Sequence, residues 1–264
     1  MDWHNKTPGR RGGAGMATVW AAAACLLAVG ARDVAAQSEP AAADRDLHYR
    51  IALAGVAIGE TQLQVEIAET EYSVAYEAAF GVLAWSARGS GSVEGRVADG
   101  RLAPDTYRTA FFGRTDRTVG VDFAPDGTVV DYAVTPPFSP RLDGPRVTVD
   151  PGDLVTVVDP LTSLIVPALD EGAGPCAADL QVFNGISRFD LILMVDQVSD
   201  GHVRCAVRFS PISGHRAASE GVERLAAAEI SLDMTRDPAL SAWVPERLEV
   251  PTRLGTLLIE RVDG

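Results

Sequence analysis

From Leu47 onward, apolar residues recur at every second position. Leu47, Tyr49, Ile51 and Leu53 share one side of an extended segment, while His48 and Arg50 take the other. That period of two is the mark of a half-buried β-strand. Thr61, Leu63, Val65 and Ile67 alternate with Glu60, Gln62, Gln64 and Glu66, and Tyr72, Val74 and Tyr76 repeat the pattern. Gly55-Val-Ala-Ile-Gly59 bends the chain between the first two segments. Further strands are predicted over 85–97, 107–112, 118–123 and 128–134, with Asp126-Gly127 as a hairpin signal before the last. A second series is predicted over 180–183, 188–195, 203–209, 228–234, 245–250 and 255–262.

Between the two series the pattern breaks. Pro136, Pro137 and Pro140 make 135–146 a long connection. The best helix candidate is 154–169, with Asp159 as N-cap, Pro160 as first helical residue, and Leu161, Leu164, Ile165 and Ala168 as the buried stripe. Strands at this spacing, without alternating helices, predict an all-β, mainly antiparallel fold: a curved sheet, sandwich or barrel-like arrangement with one central helix. Residues 37–46 read as a disordered leader. Residues 47–264 read as a single β-rich domain of two strand-rich halves joined near 135–170. Sustained alternation leaves one sheet face wet or facing a cavity.

The N-terminus changes the compartment. Arg10 and Arg11 precede an apolar run over 14–30, and Val34-Ala35-Ala36 offers the small-x-small pattern of signal cleavage. Residues 1–36 are therefore read as a signal peptide, with Gln37 as the first mature residue and the periplasm as destination. The run is short for a membrane span, so no transmembrane segment is expected after cleavage. A lesser alternative is a lipoprotein anchored at Cys25, after Ala22-Ala23-Ala24. It would leave apolar Leu26-Leu27-Ala28-Val29 where a polar tether is needed.

The whole chain carries 23 basic and 36 acidic residues, a net of −13. Removing residues 1–36 takes four basic and two acidic residues, leaving 19 and 34, a net of −15. Nucleic acid and anionic surfaces are poor partners for that charge. The only lysine is Lys6, so the mature chain has no Schiff-base lysine, Ser-Lys dyad or phosphate-loop lysine.

Cys176 and Cys205 are the two cysteines beyond the signal, and in an exported chain they read as one disulfide. Other chemistry is sparse. His48, His202 and His215 lack metal-ligand spacing, so neither a metal nor a cofactor is expected. No Gly-x-Ser-x-Gly elbow occurs, and Gly89-Ser90-Gly91-Ser92 lies in a strand, where glycines mark close packing. Asp122, Asp126, Gly127 and Asp131 lack the spacing of a calcium loop. The 34 acidic residues of the mature chain leave a glycosidase-type pair open. No catalytic residue is assigned.

Several weak motifs nonetheless stand in a specific order. Tyr49 precedes Gly55-Val-Ala-Ile-Gly59-Glu60, then come Gly100-Arg-Leu-Ala-Pro104 with Tyr107, and Asp159-Pro160-Leu161-Thr162-Ser163. Val182-Phe183-Asn184-Gly185 with Arg188-Phe189-Asp190 follows, then Cys205 with Phe209-Ser210-Pro211-Ile212-Ser213-Gly214-His215, and Val250-Pro251-Thr252 with Gly255. Over about 46–262 the chain resembles the DUF3108 family of exported bacterial proteins of unknown function. The family pattern favours Asp where Asn184 stands, and a basic pair where Ser187 precedes a single Arg188. The resemblance implies an envelope protein with a mainly antiparallel β fold, similar in outline to curved-sheet carriers of lipoproteins, and transfers no catalytic residue.

The function expected is a non-enzymatic periplasmic protein that binds an apolar, lipid-like or amphipathic ligand, or an envelope protein, on a concave sheet. Phe80, Leu83, Trp85, Phe111, Phe112 and Phe138 stand near bends where they would line an apolar cavity or fill the core. Arg188, Asp190, Asn184 and Trp85 are the candidate recognition residues. Alternatives are a surface-acting envelope assembly factor without a pocket, or a hydrolase of envelope polymers. Insertion as an outer-membrane barrel is weaker, since the wet faces carry many charges.

Overall fold

The computed structural model describes residues 42–82, 85–113, 116–167 and 174–262. The side chains of Val82, Trp85 and Leu142 lie outside that set, as do the expected signal peptide, Cys25 and positions 37–41 of the expected leader. All described residues belong to one compact unit, Glu39–Gly264.

Seven strands come first: β1 (Ala43–Leu53), β2 (Val56–Ile67), β3 (Glu71–Val82), β4 (Trp85–Ala98), β5 (Arg101–Phe112), β6 (Arg117–Phe123) and β7 (Val129–Thr135). A connector with a short helix α1 (Pro140–Asp143) leads to β8 (Val166–Pro167), a two-residue strand. Then come β9 (Ala178–Phe183), β10 (Arg188–Ser199), β11 (His202–Ser213), helix α2 (Glu220–Ala226), β12 (Ile230–Asp237), β13 (Ala242–Thr252) and β14 (Gly255–Arg261). They form a single antiparallel sheet in the order β7-β6-β5-β4-β3-β2-β1-β14-β13-β12-β11-β10-β9, with β8 attached to β13. The sheet is not closed, because β7 and β9 end the order unpaired to each other. The first and last strands are neighbours in its middle, with Tyr49 opposite Arg261 and Leu53 opposite Leu257.

The all-β antiparallel expectation holds, and the hairpin at Asp126-Gly127 falls between β6 and β7, with Gly127 at φ +78°. The helix expected over 154–169 does not form over 154–167, and Ala168 of its expected stripe lies outside the described residues. In its place are two 3-10 turns, Pro151–Leu154 and Thr162–Leu164, and the longest described helix is α2. Asp159 does act as a cap, its Oδ1 accepting the amides of Leu161 (2.8 Å) and Thr162 (3.1 Å). Val155, Thr156, Val157 and Val158 are β-branched and favour extended backbone. Pro160 and Pro167 push Asp159 and Val166 away from helical geometry as well. Strand β1 also begins earlier than expected, because Ala43, Asp44, Arg45 and Asp46 pair with Ile67, Glu66, Val65 and Gln64.

Alternation decides what each face does. Leu47, Val65, Val74, Val93 and Val121 are fully buried on one face of the first seven strands. The connector supplies Leu154, Val157, Leu161 and Ile165 to the same cluster. It also joins the two ends of the sheet. The Val157 amide donates to Gly127 O, the Val158 amide to Gln181 O, and the Phe183 amide to Val158 O, each at 2.9 Å. Across that seam Tyr132 meets Phe183 edge-to-face at 5.2 Å. The inside of the curl is thus occupied by the chain itself.

A second cluster surrounds the disulfide, with Leu193, Val203, Val207, Ile230 and Met234. Val244 belongs to the first cluster and its neighbour Trp243 to the second, so β13 is packed on both faces.

Candidate functional site

Asn184, Arg188 and Asp190 are brought together at the β9–β10 turn. Asn184 Oδ1 accepts the amides of Ile186 (2.9 Å) and Ser187 (2.7 Å), a side chain standing in for backbone in a tight turn. Arg188 is 5 % exposed. Its Nε donates to Asp153 O (3.0 Å), Nη1 to Asp190 Oδ1 (2.6 Å) and Nη2 to Gln181 Oε1 (2.8 Å). One guanidinium therefore clamps the connector to β9 and β10. Burial, bonding and position all describe a fold-holding arginine. Trp85 opens β4, in the other half of the sheet, and its side chain lies outside the described residues.

Cys176 and Cys205 are disulfide-bonded, with Cα atoms 5.3 Å apart, and both are fully buried. His48 is exposed on the wet side of β1, and His202 follows the Asp200-Gly201 turn. Among the described residues no group of three or more His, Cys, Asp or Glu could hold a metal. Phe80 and Phe111 stack with ring centroids 6.5 Å apart.

A broad concavity lies on the sheet face that the sequence marks as wet. A trough of ≈ 1040 Å³ runs across β1 to β5, and His48, Arg50, Glu60, Gln62, Glu77, Arg88, Ser90 and Phe112 line it. Register explains the grouping. Glu260, Arg50, Glu60, Ala79, Arg88 and Phe112 stand opposite one another in turn across six strands. His48, Gln62, Glu77, Ser90 and Ala110 form the next row. Ala79 on β3 and Ser90 on β4 are small beside Glu60, Glu77 and Arg88, and the surface dips at those positions. On the far side of the sheet the Tyr76 ring lies so close to Gly91 that a Cβ there would come within 2.8 Å of Cε1.

The trough is electrically graded. Glu260 bonds Arg50 and lies 3.4 Å from Arg247, and the Arg50 bond foremost holds its carboxyl below the ordinary range. Arg88, Glu60 and Glu77 have no ion-pair partner among the described residues, so the trough offers one uncommitted cation and two uncommitted anions. Farther along the same face, a second depression of ≈ 600 Å³ is lined by Glu66, Glu71, Glu94, Arg96 and Asp105.

One buried ionisable group lies elsewhere. Asp159 is fully buried, accepts the Thr162 hydroxyl, and through it is linked to the Tyr72 phenol, which is 2.6 Å from Thr162 Oγ1. Burial raises the Asp159 carboxyl above its usual range despite those hydrogen bonds, and burial raises the Tyr72 phenol as well. The network ties the connector to β3. Sequence reading missed the trough, although its signal was present in the even-numbered polar positions of β1 and β2, where Glu60 stands opposite Ala79.

No family model matches the chain, and neither the curated proteins nor the solved structures contain a match.

Proposed function

We propose that this is an exported, non-enzymatic envelope protein that holds an amphipathic ligand in the trough on the wet face of β1 to β5. The observation that carries the reading is the ≈ 1040 Å³ trough, whose size suits a small ligand and whose lining mixes charges with Phe112. Arg88 and Glu60 would orient the polar part and Phe112, 43 % exposed, would cover the apolar part. An apolar occupant inside the curl is disfavoured, because Val157, Leu161 and Ile165 fill that space. The disulfide is compatible with an oxidising compartment, and among the described residues no helix is long and apolar enough to cross a membrane. The resemblance to the DUF3108 family agrees with an envelope location.

Native mass spectrometry of the purified protein tests the reading. A retained small molecule that disappears in Arg88→Glu and in Phe112→Ala is the expected result. A ligand that survives both substitutions, or no ligand together with no response to envelope extract, counts against it.

A second reading rests on β10. It pairs with β9 only as far as Leu193, and beyond it Met194, Val195 and Val198 are 52, 52 and 70 % exposed. Such an edge suits strand addition by an envelope protein. Loss of a co-purifying protein on Val198→Lys, with the small ligand retained, would favour this surface.

A further inference from the structure

Three arginines meet in a chain whose net charge is −13. Arg117 opens β6, Arg146 lies in the connector after α1, and Arg216 follows β11. Arg146 and Arg216 face each other in an isolated antiparallel bridge. The guanidinium carbons of Arg117 and Arg146 both stand over the Phe138 ring, 3.7 and 4.0 Å from its centroid. Among the described residues a single carboxylate answers the three cations: Asp143 Oδ1 is 3.6 Å from Arg117 Nη2. Arg216 Nε donates to the Asp143 carbonyl (2.7 Å) and Arg146 Nε to the Gly214 carbonyl (2.6 Å), contacts that fix position without neutralising charge.

The cluster is short of acceptors as well as of negative charge. Arg117 Nε is buried without a hydrogen-bond acceptor. The terminal nitrogens of Arg146 and Arg216 make no hydrogen bond among the described residues. Arg146 is held below the ordinary arginine value, first by burial and then by Arg117 and Arg216, with Asp143 pulling the other way. Like charges gathered in a partly buried place are unfavourable unless a counter-charge joins them. Three guanidiniums against one carboxylate leave a surplus of two positive charges. Their planar forks match the oxygens of a tetrahedral oxyanion.

We propose that Arg117, Arg146 and Arg216 form a binding site for a phosphate-type oxyanion, taken either as free phosphate or as the phosphate of a lipid headgroup. This site is separate from the trough and does not depend on it. Arg216, which is exposed, gives the anion its approach, and Arg146 and Arg117 receive it beside Phe138.

Thermal unfolding of the purified protein in sodium phosphate, against sodium chloride at equal ionic strength, reads the first source. Flotation with phosphatidic acid vesicles, against phosphatidylcholine vesicles, reads the second. Phosphate at a hundredfold excess over Kd should raise the midpoint by about 5–10 °C. Arg216→Gln and Arg146→Gln should each weaken binding by about tenfold or more. Arg216→Lys should restore part of it, keeping the charge but losing the fork. Arg253→Gln, in the remote β13–β14 turn, should change nothing. Vesicle capture that depends on Arg216, without a response to free phosphate, would assign the site to a headgroup. The proposal is overturned if neither source binds, if binding survives both glutamine variants, or if Arg253→Gln weakens it equally. Near-ultraviolet circular dichroism of Arg216→Gln separates a lost site from a lost fold.

Discussion

Gly185, at the tip of the β9–β10 turn, lies against Val119 of β6, so that a Cβ on Gly185 would overlap Val119 Cγ1 and stand 3.0 Å from Val121 Cγ2. Two strands near opposite ends of the sheet order are thereby in contact. The backbone at Gly185 has φ +79°, the left-handed region that other residues adopt at a cost. Gly185→Ala should therefore destabilise the protein by about 2–4 kcal/mol, strain and overlap acting together. Denaturant unfolding measures it, and a loss below about 0.5 kcal/mol would mean that the turn does not seat on β6.

Arg188 offers a separation of fold from recognition. Its three acceptors lie on the connector, β9 and β10. Arg188→Ala should cost about 3–5 kcal/mol by leaving buried partners unanswered. Asp190→Asn, at a carboxylate 28 % exposed, should cost about 1 kcal/mol. If Arg188→Ala unfolds at the wild-type denaturant midpoint but loses ligand, the arginine recognises rather than clamps.

Asp159 gives a pH dependence with a definite sign. Its carboxyl titrates above the unfolded value because of burial, so the folded protein binds that proton more tightly. The stability linked to it is full below the ordinary carboxylate pKa and is lost as pH rises through the raised one. Asp159→Asn removes this titration. The stability gap between wild type and Asp159→Asn should thus shift in favour of wild type as pH is lowered from neutrality. Carboxyls held low elsewhere, such as Glu260 beside Arg50, act in both proteins and cancel in the difference. A gap independent of pH would show that Asp159 does not titrate differently on folding.

The Cys176–Cys205 bond closes a loop with a sequence separation of 29. Replacing both cysteines with serine should cost about 3–4 kcal/mol if constraint of the unfolded chain dominates. The cost should appear mainly in the second cluster, where both sulfurs are buried beside Leu193 and Val207. Hydrogen exchange that rises in β10 and β11 before β2 and β3 would display that localisation.

Strands were legible where alternation ran long. Leu47 to Leu53 and Thr61 to Ile67 could hardly be read otherwise, and β1 to β7 all form, although β2 begins at Val56 inside the expected bend and β5 begins at Arg101 rather than Tyr107. The connector was not legible, because Leu161, Leu164 and Ile165 have helical spacing while Val155 to Val158 prefer extension. Tertiary contact with Gly127 and Gln181 settled the contest. Asn184, Arg188 and Asp190 were grouped by short spacing, yet a local grouping says nothing of what lies across it. Asp153 and Gln181 supplied the acceptors that make Arg188 a clamp. The trough was hidden for a related reason: its rows join residues more than fifty positions apart, such as Arg50 and Phe112.

The pairing of β1 with β14 has a temporal consequence. During synthesis Leu53 waits for Leu257, some two hundred residues later, before its open edge finds a partner. Until then a nascent chain shows an unpaired, apolar strand that neighbouring chains can adopt. The hazard lasts until β14 is available to pair with β1, so the contact that stitches the two halves of the sheet together is one of its longest in sequence.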